Sequence, residues 1–139
     1  MKITSKGRYG LKIMLELSAP EARSRLLKSR EIAENQNIPL KYLEQIINIL
    51  KKRGLVISVR GAEGGYRIAR DPQEITVFQI LTALEGDLSI LDKNSDLNEG
   101  YRALFWTDID NRIKEMLDIN LLDFLNQSRS IQDSLMYYI

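Results

Sequence analysis

The most informative alternation of apolar and polar positions lies between residues 40 and 68. Leu40, Leu43, Ile47 and Leu50 recur at three- and four-residue steps, which predicts one apolar face of a helix from Leu40 to Arg53. Lys41, Glu44, Gln45 and Asn48 fall on another side of that helix. Its basic end, Lys51-Lys52-Arg53, stops at Gly54, and the period then shortens to that of a strand running to Val59. A turn rich in glycine (Gly61, Gly64, Gly65) follows, and a second strand begins at Tyr66. The pattern is that of a β-hairpin "wing" behind a helix.

Upstream, Ser5 is placed to cap a first helix whose Tyr9, Ile13, Met14 and Leu17 share a face before Pro20 ends it. The Arg- and Ser-rich residues after Pro20 read as a loop. A short helix over about Ser29–Asn35 and a turn through Asn37-Ile38-Pro39 then lead into the Leu40 helix. Two short helices joined by a tight turn, the second polar on its free face, predict a helix-turn-helix. A hairpin directly behind it makes a winged helix-turn-helix, a device for gripping duplex DNA.

Past the wing, Arg70-Asp71-Pro72 reads as a turn, and Thr76-Val77-Phe78-Gln79 as a capping box opening a helix through Leu84. Asp87 to Gly100 has little periodicity and reads as a linker. Trp106, Ile109, Ile113, Met116 and Leu117 restore the helical period and form the candidate dimerisation helix. A short apolar helix at Leu121–Leu125 and a polar tail complete the chain. The expected fold is mainly α with a small β-hairpin wing. It divides into a DNA-binding domain over 1–86, linker and dimerisation helices over 87–127, and a C-terminal tail over 128–139.

Composition changes this picture only when the chain is split. The net charge of +1 conceals 15 Lys+Arg against 6 Asp+Glu in residues 1–70, which is +9, and 5 against 13 in residues 71–139, which is −8. A half so basic suits a polyanion, the alternative being a solvated basic surface. The sequence has no cysteine and no histidine, which removes most nucleophilic, zinc and iron–sulfur chemistry, so no cofactor, metal site or catalytic residue is assigned. Asp92, Asp96, Glu99, Asp108 and Asp110 would hold a cation only if the fold gathered them; otherwise they are a solvated acidic face. Lacking a secretory pattern or an apolar run of membrane-spanning length, the chain is expected in the cytoplasm.

The candidate DNA contacts are Lys41, Tyr42, Glu44, Gln45 and Asn48 on the recognition helix, Lys51 and Lys52 at its end, and Arg60, Gly61 and Arg67 on the wing. Gln matches the edge of adenine, Glu accepts from the cytosine amino group, and Lys reaches guanine or phosphate. Arg60, next to the turn, is placed either to enter a narrowed minor groove or to touch phosphate.

These residues resemble the Rrf2 family of bacterial winged helix-turn-helix regulators. The likeness rests on Met1 to Leu11, Lys41-Tyr42-Leu43-Glu44-Gln45, Gly54-Leu55-Val56, Ser58-Val59-Arg60-Gly61, Gly64-Gly65-Tyr66 and Leu84-Glu85-Gly86, in family order over about residues 1–86, with weaker similarity through Trp106 to Leu125. The resemblance implies a homodimeric repressor that binds an imperfect palindrome and is joined by the long C-terminal helix. Glu44, Gln45 and Arg60 then stand at positions similar to the family's base and groove contacts.

Two departures qualify the resemblance. The family's cluster-binding branch carries three cysteines between positions matching Asp87 and Tyr101 and a histidine near Ala103, all lacking here. Lys28, Ser29 and Pro39 stand where the family usually has Ser, an apolar residue and Ser. Met136-Tyr137-Tyr138-Ile139 instead resembles the ending of the cluster-free branch, the repressors of cysteine metabolism. That likeness implies Tyr137, Tyr138 and Ile139 as a docking segment for cysteine synthase, the alternative being a tail that packs on its own dimer. Direct sensing of a small effector, or a winged helix used only for protein assembly, stand as alternatives.

Overall fold

The computed structural model describes residues 1–91 and 100–137. Among them the order is α1 (Ser5–Ser18), α2 (Pro20–Arg23), α3 (Ser29–Gln36), α4 (Leu40–Lys52), β1 (Val56–Val59), β2 (Gly65–Ile68), α5 (Val77–Glu85), α6 (Tyr101–Leu117) and α7 (Leu121–Tyr137), with a 3₁₀ turn at Pro72–Glu74. One core is built where α1, α3, α4 and α5 meet. Ile13, Met14 and Leu17 pack there with Ile32, Leu43, Ile46, Ile47, Leu50, Ile80 and Leu84, all buried. Each such side chain contributes roughly 1.5–3 kcal/mol by leaving water. Gly10 lets α1 and α5 close on each other, since a Cβ there would stand 2.0 Å from Leu84 Cδ1.

The helix-turn-helix forms as its residues predict. Asn37 ends α3 in the left-handed conformation (φ 54°), which an asparagine tolerates, and Ile38 N–H returns to Ala33 C=O at 2.9 Å. Buried Ile38 then pins the turn, and Pro39 leads directly into α4. In the wing, β1 and β2 are antiparallel with Val56 opposite Ile68, Ile57 opposite Arg67, Ser58 opposite Tyr66 and Val59 opposite Gly65. Gly64 is required at the turn: a Cβ there would lie 2.0 Å from Val59 C=O.

The structure corrects the sequence reading in several places. Thr4, not Ser5, precedes α1, and neither side chain caps it. Pro20 does not open a loop; it takes the first position of α2, where its missing N–H costs nothing. Within the remaining supposed loop, Leu27 pairs with Tyr66 through two hydrogen bonds of 2.9 and 2.7 Å, adding a third edge to the wing. The polar tail is no tail up to Tyr137, because α7 continues through it. Asn120 Oδ1 accepts from Asp123 N–H at 2.9 Å and starts the helix, and neither Gly nor Pro interrupts the following residues. The proposed linker falls partly outside the described residues, as do Asp92, Asp96, Glu99, Tyr138 and Ile139.

The C-terminal helices are joined to the domain at several points. Val77 N–H donates to Ile119 C=O and Leu121 N–H to Ile75 C=O, each at 2.9 Å, while Leu121 is fully buried in the main core. Further along α7, Arg129 reaches Glu21 of α2 at 3.0 Å.

Candidate nucleic-acid interface

Because Leu43, Ile46, Ile47 and Leu50 turn inward, Lys41, Glu44, Gln45, Asn48 and Lys51 are left together on the outer face of α4, all exposed. With Ile47 and with Tyr66 of β2 they line a groove of about 380 Å³. Among the described residues, no side chain caps the N-terminus of α4, which Pro39 precedes. The structure therefore brings five of the sequence-predicted residues onto one surface bearing both donors and acceptors, the chemistry base edges need.

Tyr42 has a different place. Its ring packs edge-on against Tyr9, centroids 5.7 Å apart at 77°, and its hydroxyl lies 3.4 Å from Ser5 Oγ. Lys12 Nζ stands 5.8 Å from the centre of the Tyr9 ring. This stack joins α4 to α1. Lys52 is exposed but lies beyond the residues that line the groove.

Arg60 and Gly61 are exposed at the wing tip. Lys28, at the start of α3, donates its ammonium to Ala62 C=O and holds that tip against the helical body. Arg67 is not brought to the α4 groove. Its register partner is Ile57, so it points to the opposite hairpin face from Tyr66 and lines a separate notch with residues 23–26 and Val59.

On α6 the sequence stripe divides between two faces. Leu117 packs with Val77, Leu81 and Leu88, and Ile109 and Ile113 are half-buried. Trp106 stacks edge-on against Phe105 and remains half exposed, and Met116 is 79% exposed. Tyr101, Leu104 and Phe105, which the stripe omitted, are exposed as well, Tyr101 at 80%. The Tyr101–Phe105 spacing of four was the available signal. Ile131, Leu135 and Met136 of α7 are also exposed.

Two carboxylates missed as structural groups anchor these parts. Asp110, buried on α6, accepts from Ile90 N–H at 3.0 Å and Ser89 Oγ at 3.2 Å, and pairs with Lys114 at 3.1 Å. The Ile90 amide first, then Lys114 and Ser89, outweigh burial and hold its pKa below the usual carboxylate value. Glu85 takes the first amides of α1. Burial opposes its charge, but the hydrogen bonds from Thr4 and Gly7, with the Lys6 charge, outweigh burial and lower its pKa.

A family model named Rrf2 and described as "Iron-dependent Transcriptional regulator" matches residues 3–127. The HTH-type transcriptional regulator CymR of Bacillus subtilis (strain 168) is 40% identical over 141 residues, covering 100% of both chains. The HTH-type transcriptional regulator IscR of Aliivibrio salmonicida is 40% identical over 123 residues, 85% of this chain and 73% of its own. The structure of CymR, the global cysteine regulator of B. subtilis, has a TM-score of 0.81 at 38% identity, covering 91% of this chain and 98% of that one. T. potens IscR gives 0.76 at 36%, covering 95% and 91%.

The donor set does not fit an iron–sulfur cluster. The sequence holds no thiol and no imidazole, and among the described residues no three potential ligands gather. Asp108 is committed to Arg112 at 2.9 Å and Asp110 to the contacts above. Among the described residues, no helix is long and apolar enough to cross a membrane.

Proposed function

Because the chain belongs to the Rrf2 family of DNA-binding transcriptional regulators, which are not enzymes, we propose that it is a homodimeric cytoplasmic repressor reading a palindromic operator. The observation that carries this reading is the groove in which Lys41, Glu44, Gln45, Asn48 and Lys51 of α4 face Tyr66 of the wing. An α-helix fits the major groove, and in that position the wing carries Arg60 toward the adjacent minor groove. Lys51 and Lys52 supply phosphate contacts. Tyr42, through Tyr9, holds the helix at its angle. Two-fold symmetry of the dimer would match the symmetry of the operator.

Full-length similarity to CymR supports a finer reading, control of cysteine or sulfur metabolism with cysteine synthase as protein partner through Tyr137, Tyr138 and Ile139.

Paired substitutions test the groove. Glu44→Ala or Gln45→Ala is expected to change preference among operator variants by about 1–3 kcal/mol per altered base pair, whereas Lys52→Ala weakens all sequences alike. Fluorescence anisotropy on a set of single-base operator variants reads the difference. Equal loss on every variant from both classes of substitution would sink the assignment of α4.

A further inference from the structure

Arg67, turned away from the α4 groove, does not stand alone. It shares with Arg23, Ser24, Arg25, Leu26 and Val59 a notch of about 340 Å³ on the outer face of the wing, and among the described residues no carboxylate lines it. We propose that this notch is a second phosphate-binding surface, with Arg23 and Arg67 holding the DNA backbone that flanks each half-site. The inference rests on the DNA-binding reading of α4 and extends the contact beyond the bases α4 would read.

Charge selects which arginines act. Arg25 is neutralised by a two-pronged pair with Glu31, at 2.6 and 3.2 Å. Arg23 uses only its Nε, donating to Ser18 C=O at 2.9 Å, which fixes the side chain and leaves its terminal amino groups without a partner among the described residues. Arg67 is exposed and has no ion pair or side-chain hydrogen bond among those residues. Two uncompensated guanidiniums remain, Arg23 fixed through its Nε and Arg67 free to reach, and their planar donor fork suits phosphate oxygens.

Position selects the ligand. Val59, which lines the notch, directly precedes Arg60, so the notch is continuous with the wing tip that Lys28 holds in place. The minor groove is only about 6 Å wide, so a wing entering it has a phosphate wall on either side. Since alternate residues of a strand point to opposite faces, the Tyr66 face looks toward α4, and with α4 seated in a half-site the Arg67 face would meet the wall on the side away from α4, toward the flanking DNA. Leu26 and Val59, the latter 43% exposed, supply an apolar floor against which sugars can pack.

The test compares two operator duplexes, one ending at the half-sites and one extended by about one helical turn, 10 base pairs, on each side. The dissociation constant is measured against salt for the full chain and for Arg67→Ala and Arg23→Ala/Arg67→Ala, with thermal melts confirming folding. One lost phosphate contact per protomer is expected to lower the log–log salt slope by about 2 per dimer for Arg67→Ala on the extended duplex, since each contact is worth about 0.9. On the short duplex the same substitution should leave the slope unchanged. Equal slopes for all three proteins on the extended duplex overturn the proposal and leave the patch to an acidic protein. An equal drop on both duplexes also overturns it, by assigning the effect to overall charge. A wild-type chain that binds neither duplex refutes the reading of α4 and this inference with it.

Discussion

Glu85 caps α1 through Thr4. Its Oε1 accepts from the Thr4 backbone N–H at 2.9 Å and from the Thr4 hydroxyl at 2.7 Å, and takes the Gly7 N–H at 2.9 Å as well. The end of α5 thus supplies the cap that no local side chain provides, and places a negative charge at the positive end of the α1 dipole. Gly7 is part of the device, because a Cβ there would approach Glu85 Oε1 to 2.6 Å.

Replacing Glu85 by Ala is therefore expected to cost about 1–2 kcal/mol, in the range of a lost helix cap. The pKa of Glu85 is lowered in the folded chain, so its contribution is present above the unfolded pKa and is lost as pH falls through the folded one. Urea melts of wild type and variant should differ most near neutral pH and converge below about pH 4, the ordinary range for a carboxyl. A difference that persists unchanged into acid would show that the carboxylate charge is not what matters.

Asp110 ties residues 89 and 90 to α6 in the same way. Asp110→Ala leaves the Ile90 amide without its acceptor, an expected loss of roughly 2 kcal/mol for a buried unsatisfied group. The loss should be local first: faster amide hydrogen exchange at Ser89, Ile90 and Leu91, with the α4–wing surface unchanged. Uniform acceleration over the whole chain would instead show that Asp110 holds up the domain as a unit.

Elements whose cause is local were legible in the sequence. The period of α4, the Asn37 turn, the glycines of the wing and the Thr76–Gln79 capping box each follow from residues within a few positions of one another. What escaped depends on distant partners or on an over-reading of polarity. Nothing near Thr4 announces Glu85, and nothing near Leu27 announces Tyr66. Polar residues after Leu125 report that α7 is exposed there, not that it is unfolded. Arg60 and Arg67 are legible as hairpin arginines, but the face Arg67 takes depends on the strand register, which sets it on the side away from Tyr66 and the α4 groove. The α6 stripe mixed residues facing the chain's own core with residues facing outward, because a period identifies helical faces without saying which one is already covered.

That division of α6 makes the dimer testable. Tyr101, Phe105 and Met116 stand one above another at roughly helical spacing, exposed, with half-buried Ile109 beside them, whereas Leu117 is engaged with Val77 and Leu81. Large apolar side chains left uncovered along one helix fit a two-fold contact in which the same strip meets its copy. Met116→Asp and Phe105→Asp would bring like charges together across such a contact and are expected to give folded monomers by light scattering, with affinity for a palindrome reduced toward that for a half-site. Leu117→Asp should differ in kind, lowering thermal stability because it places a charge against the packing of α5. Dimers of unchanged stability for both Met116→Asp and Phe105→Asp would place the interface elsewhere, with the exposed Ile131 and Leu135 of α7 as the next surface to charge.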